Sequence, residues 1–295
     1  MAFARRTPSR WKLRSRALDL GERTLVMGVL NVTPDSFSDG GAFLSPENAV
    51  AHALRMLDEG ADLVDVGGES TRPGTEKPVS AQQEQDRVLP VIEGILRERP
   101  ECVLSIDTYK AETARAAVNA GAQIVNDVSG FGWDRALPPV CAELGCGLVL
   151  MHTRGRPDEW RAQPRLAQDR VVPLVIEGLA QSLEVARAAG IDHSSVVLDP
   201  GFGFGKAYDS NYPLLAHLDE LLILGRPLAA GVSRKSFLGR TLARGVGEVP
   251  VAARQNATLA ATTATILAGA SLVRVHEVRP AVEAARIADA ILKAL

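Results

Sequence analysis

Polar or charged side chains recur in this sequence where a short apolar segment gives way to the residues after it. They are Asn31, Glu69, Asp107, Asn126, His152, Asp199, Ser233, Arg274 and His276. A buried Asp or Asn needs hydrogen-bond partners, so any one of these residues alone could be a satisfied structural residue. A whole set at successive segment ends favours a ligand site. Its carboxylates and amides could accept hydrogen bonds from a heterocycle rich in N–H groups, such as an aminopyrimidinone.

Two of these segment ends lead into loops dense in small polar residues. The first loop reads NVTPDSFSDGG over 31–41, and the second reads VGGESTRPG over 66–74. The glycines of the second loop allow the backbone to approach a ligand closely, and Ser70, Thr71 and Arg72 can together grip an anion. We therefore expect two functional loops that flank one substrate.

A glycine-rich segment, DPGFGFGK over 199–206, adds a carboxylate but matches no nucleotide-binding motif. A P-loop has four residues between its first glycine and the Gly-Lys pair and a Ser or Thr after the Lys, whereas three residues separate Gly201 from Gly205 here and Ala207 follows Lys206. The G-x-G-x-x-G spacing also fails. We expect Asp199 to bind the ligand and a Lys206→Ala change to matter little.

The last third of the chain carries cations for an anionic ligand. The segment GVSRKSF over 231–237 places Arg234 and Lys235 at or just before a helix start, where a helix N-terminus also favours an anion. Arg274 and His276 are two positions apart, so in a strand both face the same side. The sequence suggests no Ser-His-Asp, Cys-His or His-rich metal arrangement. The residues fit displacement of an anionic leaving group better than hydrolysis by an activated nucleophile.

Strands and helices must alternate to position these residues. Apolar segments typical of buried parallel strands occur at 24–31, 61–68, 102–108, 123–128, 146–152, 195–201, 227–233 and 271–277. Segments with helical spacing lie between them, such as 46–59, 80–98, 110–120, 170–189 and 280–294. The alternation predicts parallel strands with right-handed crossovers. We predict an α/β fold, a (β/α)8 TIM barrel as a single catalytic domain over 21–295, with its site at the carboxyl ends of the strands. An open doubly wound sheet is the alternative.

Composition limits the class of protein. The chain of 295 residues is 46% hydrophobic and 23% charged, which argues against disorder, and its net charge of −2 argues against a nucleic-acid partner. Its three cysteines form no C-x-x-C pair, and no apolar run approaches the ~20 residues of a membrane span. Residues 1–20 are rich in basic residues and lack the apolar stretch of a secretory signal. We therefore expect a solvated basic N-terminal arm and a cytoplasmic protein with no membrane partner.

With these motifs in order, the sequence resembles the dihydropteroate synthases of the folate pathway. The resemblance covers residues 24–280 and rests on NVTPDSFSDGG, VDVGGESTRPG, SIDT, IVNDVSG, LMHTRG, DPGFGFGK, GVSRKSF and VRVHEV. It implies a pterin-binding (β/α)8 barrel with Mg²⁺ as its cofactor. It also implies a transferase that condenses 6-hydroxymethyl-7,8-dihydropterin diphosphate with 4-aminobenzoate, giving 7,8-dihydropteroate and diphosphate.

The resemblance also implies roles for individual residues. Those it assigns to the pterin and its diphosphate are Thr71, Asp107, Asn126, Asp199, Lys235, Arg274 and His276, with Asn31 at the Mg²⁺ position. Those it assigns to the aminobenzoate pocket, where sulfonamides compete in the family, are Phe37, Pro73, Phe204 and Ser236. With Lys235, the implied catalytic residues are Asp35, which stabilises a pterin methylene cation, and Arg72, which neutralises the leaving diphosphate.

Other classes share part of this pattern. A methyltetrahydrofolate:corrinoid methyltransferase has a related pterin-binding barrel but no need for the diphosphate grip that residues 70–74, 233–235 and 274–276 supply here. An inactive pterin-binding paralogue is expected to have lost cations such as Arg72, which is present. A metal-dependent aldolase barrel has no Schiff-base or metal-ligand pattern to support it.

Two segments have open interpretations. The segment 252–270 is rich in Ala and Thr and apolar on more than one face, so it could line the interface of a homodimer or lie buried in the barrel wall. The segment 153–169 is rich in Arg and Pro and could be a lid or a surface loop. We expect a homodimer whose other partners are its small-molecule substrates.

Overall fold

The structure is a computed structural model and describes residues 3–33, 45–70, 78–244 and 246–295. Its strands are β1 Ser9–Lys12, β2 Ala17–Leu20, β3 Leu25–Asn31, β4 Leu63–Gly67, β5 Val103–Asp107, β6 Ile124–Asp127, β7 Gly147–Met151, β8 Val196–Asp199, β9 Leu228–Ala230 and β10 Ala270–Val275. Its α-helices are α1 Pro46–Asp58, α2 Ala81–Glu98, α3 Ala111–Asn119, α4 Leu137–Leu144, α5 Gln168–Ala188, α6 Asn211–Ala216, α7 Ser236–Leu242, α8 Gln255–Leu267 and α9 Val278–Lys293.

The strands β3 to β10 form a closed barrel in which every pairing is parallel. Each strand pairs with its neighbour in sequence, and β10 pairs back onto β3. The predicted (β/α)8 TIM barrel is therefore confirmed. The open-sheet alternative is wrong, because an open sheet would leave two edge strands where β10 and β3 are hydrogen-bonded.

The starts of α1 and α2 follow from local sequence. Ser45 precedes Pro46, and its side chain accepts a hydrogen bond from the Asn48 amide at the first turn of α1. Ser80 and Gln83 form a reciprocal capping box at the start of α2.

None of the helices in the described ranges has both the length and the apolar character that a membrane span requires.

Side chains along each strand alternate between the barrel interior and the surrounding helices. In β4, Val64 and Val66 belong to the large apolar cluster shared with the helices. Leu63 belongs to a smaller cluster that includes residues from the amino-terminal halves of the other barrel strands. Because successive strand residues face opposite sides, Asp65 and Gly67 lie on the inner side with Leu63. The apolar layer thus fills the amino end of the barrel and leaves polar residues toward the carboxyl end.

Helix α8 lies within the open segment 252–270. It buries Thr258, Thr262 and Ile266, and it packs beside α9 and β10. Burial in the barrel wall therefore accounts for this face of the segment.

The expectation of a solvated N-terminal arm is wrong. Strands β1 and β2 pair as an antiparallel hairpin whose inward side chains Trp11, Leu13 and Leu20 are at most 2% exposed. They join the apolar cluster at the amino end of the barrel, and the Trp11 indole N–H donates to the Ser195 carbonyl at 2.8 Å. The basic residues obscured this role, but the hairpin covers an apolar layer that would otherwise face water.

A Trp11→Phe substitution tests this role of the hairpin. The change removes the N–H donor and leaves the buried Ser195 carbonyl without it, so the free energy of unfolding should fall by about 1–2 kcal/mol. Denaturant unfolding measures the loss, and ligand binding by the folded protein should be unchanged because the hairpin lies at the end opposite the polar residues. An unaltered stability would restore the solvated-arm interpretation.

Candidate active site

The carboxyl ends of β5, β6 and β8 bring Asp107, Asn126 and Asp199 to one face of the barrel. Asp107 pairs in register with Asn126 on the neighbouring strand. Arg274 on β10 reaches toward them, and its Nη2 donates to the Asp107 Oδ2 at 2.7 Å. Asn126 and Asp199 are 4% and 6% exposed, so this is an enclosed site with hydrogen-bond acceptors on its wall.

Sequence reasoning missed Asp65, which lies at the centre of this group. Its Oδ2 accepts hydrogen bonds from the Arg274 Nε at 2.7 Å and from the Asn126 Nδ2 at 2.8 Å. The signal was present, because Asp65 is a lone carboxylate between two valines and has the same strand parity as Gly67. Asp65 lies inside its strand, whereas the pattern of polar residues marks the segment ends.

Charge balance at the site depends on Arg274. Burial would lower the pKa of its guanidinium, but the neighbouring Asp65 and Asp107 outweigh burial and raise that pKa. Burial, countered by Arg274 and reinforced by the charge of Asp65, raises the pKa of Asp107 to about 7. Burial thus makes Asp107 easier to protonate than an ordinary carboxyl, whereas its carboxylate neighbours keep Arg274 cationic.

The glycine-rich loop after β8 fixes the position of the Asp199 carboxylate through a backbone hydrogen bond. The Gly201 N–H donates to the Asp199 Oδ1 at 2.7 Å, and Gly201 has a φ of 67°, where a side chain would also strike the His152 carbonyl. Burial raises the pKa of Asp199, while this hydrogen bond and the nearby Lys235 act against the rise.

The buried Lys206 side chain stabilises the same loop by donating hydrogen bonds to backbone carbonyls. It is 5% exposed, and its Nζ donates to the carbonyl oxygens of Gly201 at 2.8 Å and of His152 and Phe204 at 3.3 Å. Burial lowers its pKa well below the usual value for Lys. The expectation that Lys206 matters little rested on the absence of a phosphate motif. The structure gives Lys206 a different role, because these buried carbonyl groups need a hydrogen-bond donor.

Lys235 and Phe204 lie together on the other side of the site. The Lys235 Nζ is 4.0 Å from the centre of the Phe204 ring, a cation–π distance. Ser236 follows Lys235 as the exposed first residue of α7. The two predicted aminobenzoate-pocket residues that the structure describes, Phe204 and Ser236, thus both adjoin Lys235.

Two of the described residues predicted to bind an anion, His276 and Arg234, have protein partners of their own. The His276 Nδ1 and the Ser233 Oγ are 2.9 Å apart, so Ser233 orients this imidazole next to Arg274. Arg234 forms an ion pair with Glu277. Its charge is thereby partly compensated, and its expected role toward an anionic ligand stays a prediction.

Two segment-end residues do not join the site. Glu69 pairs with Lys110 and accepts a hydrogen bond from the Tyr109 hydroxyl at 3.1 Å. His152 is buried against Gly178 of α5, and burial lowers its pKa to about 2, so it is neutral. Glu69 is thus a satisfied structural residue, which the pattern alone could not distinguish from a ligand. The His152 imidazole is also packed away from the site, but its buried Nδ1 has no hydrogen-bond partner within the described residues.

Asn31 ends β3 and pairs in register with Gly67. A Cβ on Gly67 would lie 3.8 Å from the Asn31 Oδ1 and 3.4 Å from the Asp107 Cβ, so the glycine keeps a gap between these side chains. Within the described ranges, no cluster of three or more His, Cys, Asp or Glu could hold a metal. A single amide oxygen still fits Mg²⁺, which keeps several waters and takes further oxygens from substrate phosphates.

Five predicted site residues belong to the two loops after β3 and β4 of the sequence pattern. Asp35, Phe37, Thr71, Arg72 and Pro73 lie outside the described residues. Their assigned roles stay predictions.

A closed parallel barrel with buried acceptors and cations at its carboxyl end defines the class as a (β/α)8 ligand-binding enzyme. The family model described as pterin binding enzyme matches residues 27–276. A dihydropteroate synthase of Clostridium beijerinckii is 41% identical, over 96% of this chain and 99% of that protein, and one of Mycobacterium leprae is 46% identical, over 91% and 94%. The chain belongs to the pterin binding enzymes and, within them, to the dihydropteroate synthases, which are transferases.

Solved structures agree with this assignment. The dihydropteroate synthase of Yersinia pestis in a sulfonamide drug complex has a TM-score of 0.88 and 41% identity, covering 97% of this chain and all 100% of that one. The enzyme of Xanthomonas albilineans with 4-aminobenzoic acid has a TM-score of 0.87 and 42% identity, covering 98% and 100%. The family supports the synthase interpretation of the sequence over the corrinoid methyltransferase.

Proposed function

We propose that this chain condenses 6-hydroxymethyl-7,8-dihydropterin diphosphate with 4-aminobenzoate to give 7,8-dihydropteroate and diphosphate. The observation that carries the proposal is the enclosed group of Asp107, Asn126 and Asp199 around the Arg274 guanidinium. A pterin offers ring and amino N–H donors along one edge and a flat face, which match carboxylate acceptors and a guanidinium plane. Relatives with the same fold carry this activity in their names.

The pterin binds through its donor edge to Asp107, Asn126 and Asp199. Lys235 lies on the other polar edge, where its charge also favours the ionised form of Asp199. Arg274 stacks on the pterin face. Because these acceptors are nearly buried, each hydrogen bond that the substrate makes is shielded from competing water.

The diphosphate binds at the cationic side of the site, on Arg274 and His276 with Thr71. Asn31 is the residue that would hold Mg²⁺, which when bound offsets the negative charge of the diphosphate. The Ser233 hydroxyl, 2.9 Å from the His276 Nδ1, keeps the imidazole oriented toward the anion.

Bond cleavage precedes bond formation in the proposed route. The bond between the pterin methylene carbon and the diphosphate oxygen breaks, and its electron pair leaves with the diphosphate. The amino nitrogen of 4-aminobenzoate then donates its lone pair to the methylene cation and afterwards loses a proton. Asp35 stabilises the cation, and Arg72 neutralises the leaving group.

The aminobenzoate pocket is proposed to contain Phe204 and Ser236 together with Phe37 and Pro73. The Phe204 ring is fixed against the Lys235 Nζ at 4.0 Å, so it offers a flat apolar wall beside the pterin site. Sulfonamides resemble 4-aminobenzoate in shape, and a relative with the same fold is described in complex with such a drug. We expect sulfonamides to compete with 4-aminobenzoate here.

We also propose a cytoplasmic homodimer. Near α7 and α8 the chain exposes Leu242, Val246 and Val251, at 47%, 86% and 40%. Apolar side chains grouped in this way suit a protein–protein contact. Light scattering during size-exclusion chromatography should give twice the chain mass, and a monomer would contradict the proposal.

The cytoplasmic location is supported by the buried thiols of Cys141 and Cys146, which form no disulfide and therefore suit a reducing compartment.

A complete reaction assay tests the main proposal. Purified protein with both substrates and Mg²⁺ should form dihydropteroate and diphosphate in equal amounts. Omission of the pterin substrate or chelation of the metal should stop diphosphate release. Omission of 4-aminobenzoate should stop sustained release, because the uncaptured cation recombines with the bound diphosphate. If the protein binds the pterin but forms no dihydropteroate, it is an inactive pterin-binding paralogue.

Pterin binding should depend on pH through Asp107. The ionised carboxylate accepts hydrogen bonds from the pterin, and its pKa is raised to about 7, so affinity should rise as the pH increases through 7. One unit below that pKa, the Kd of 6-hydroxymethylpterin should be about tenfold larger than on the alkaline plateau. Calorimetry between pH 5.5 and 8.5 measures this. In Asp107→Asn the acid decline should disappear, and its persistence would assign it to another group.

A further inference from the structure

The roles assigned so far leave out Asp65, although it is more enclosed than either Asn126 or Asp199. It is 0% exposed, on the inner side of β4. We propose that Asp65 is a positioning residue that presets the pterin site by holding the Arg274 guanidinium and the Asn126 amide through one oxygen atom. The proposal rests on the proposed condensation, because it concerns how that site is arranged before substrate enters.

The guanidinium of Arg274 is gripped on two sides. Its Nε donates to the Asp65 Oδ2 and its Nη2 to the Asp107 Oδ2, each at 2.7 Å. Since a guanidinium is planar with donors in fixed directions, two such bonds set its plane as well as its position. With Asp107 alone it could pivot about a single bond. Asp65 thus determines the plane on which a flat heterocycle stacks.

The amide of Asn126 is oriented by the same oxygen atom. Its Nδ2 donates to the Asp65 Oδ2 at 2.8 Å. A carboxylate paired with Arg274 accepts hydrogen bonds and cannot donate, so the nitrogen end of the amide must face Asp65. The carbonyl end is then left as an acceptor for the N–H groups of a ligand. Without Asp65, either end of the amide could face the site.

Stability alone does not account for Asp65. Its other oxygen, Oδ1, is buried and has no hydrogen-bond partner within the described ranges, and the same holds for the Ser105 Oγ at the paired position on β5. An unsatisfied buried acceptor lowers stability, and a buried ion pair often adds none. The arrangement is therefore better suited to orienting two binding groups than to stabilising the barrel.

The substitution Asp65→Asn, made with and without Arg274→Gln, tests the proposal. In the otherwise unchanged enzyme it should lower kcat/KM for the pterin diphosphate by about 10²-fold, since small misplacements of binding groups have effects of this size. In the Arg274→Gln background the same change should cost less than about threefold, because one of the two groups that Asp65 positions is already removed. An equal loss in both backgrounds would overturn the proposal.

The KM for 4-aminobenzoate separates positioning from a general loss of folded enzyme. Within the described residues, the hydrogen bonds of Asp65 join it to Arg274 and Asn126 and not to the predicted aminobenzoate pocket. This KM should therefore stay constant while kcat falls and the KM for the pterin diphosphate rises. A smaller active fraction would lower kcat and leave both KM values unchanged, and that outcome would contradict the proposal.

Asp289→Asn provides the matched control. Asp289 is also buried, accepts from Arg6 at 2.7 Å and from the Thr24 amide at 2.8 Å, and lies at the opposite end of the barrel. It should lower Tm without changing kcat/KM per folded molecule, and a loss equal to that of Asp65→Asn would overturn the proposal. If Asp65→Asn alone does not fold, the double variant is compared with Arg274→Gln: similar activity supports the proposal and a further large loss contradicts it. Failure of the unsubstituted chain to form dihydropteroate would concern the proposed function, not Asp65.

Discussion

Asp199→Ala should reduce pterin affinity by at least about 10²-fold, because removing one partner of a buried, hydrogen-bonded charge arrangement costs roughly 2–5 kcal/mol. The carboxylate is 6% exposed and lies at the base of the site, where the Gly201 N–H holds one of its oxygens at 2.7 Å. Alanine removes an acceptor for the pterin N–H donors. It also removes a negative charge close to Lys235. Calorimetry with 6-hydroxymethylpterin measures the loss directly.

Asp209→Ala is the control for this substitution. Asp209 lies ten positions further along the chain and forms an exposed ion pair with Arg165, so its removal should change stability and affinity little. Arg72→Ala should instead slow turnover while pterin binding largely survives, because its assigned role concerns the leaving diphosphate. Equal losses of pterin affinity in Asp199→Ala and Arg72→Ala would refute this division of roles.

Lys206→Ala should lower the free energy of unfolding by about 3 kcal/mol or more, through unsatisfied carbonyls and the cavity left by the side chain. The carbonyls of His152 and Phe204 would lose the Lys206 Nζ, which donates to each at 3.3 Å. The loop would also lose its hold on Phe204, whose ring packs on Lys235. We therefore expect kcat/KM to fall as well.

Lys206→Met separates the two contributions. It fills the space of the stem but cannot donate, and it removes a buried amine whose pKa burial has lowered well below the usual value. Its loss of stability should be smaller than that of Lys206→Ala. Lys12→Met, at an exposed lysine paired with Asp192, is the control. Denaturant unfolding that places Lys206→Ala within 0.5 kcal/mol of the unsubstituted protein, about the usual range for surface changes, would show that the loop does not need this donor.

The barrel could be predicted because its signal is local and repeated. Each strand is a short apolar segment followed by helical spacing, and markers such as Ser80 with Gln83 act within a single turn. Strand parity also places Asp107 and Arg274 on the inner face without any knowledge of their neighbours. The N-terminal hairpin escaped prediction because β1 and β2 have only four residues each, and their burial depends on an apolar layer contributed by the other strands.

The sequence by itself determined which chemical groups this protein has and the edge of the barrel at which most of them lie. Acceptors at the ends of β5, β6 and β8 and cations around β10 follow from residue type and periodicity. Only the tertiary structure decided which groups meet. Arg274 pairs with Asp65 across 209 positions and with Asp107 across 167, because β10 closes the barrel against β3. Arg234 pairs with Glu277 because the strands that precede them, β9 and β10, are neighbours in the barrel. Hydrogen-bond and ion-pair partners depend on distances of a few ångströms between remote segments, and only the folded chain fixes those distances.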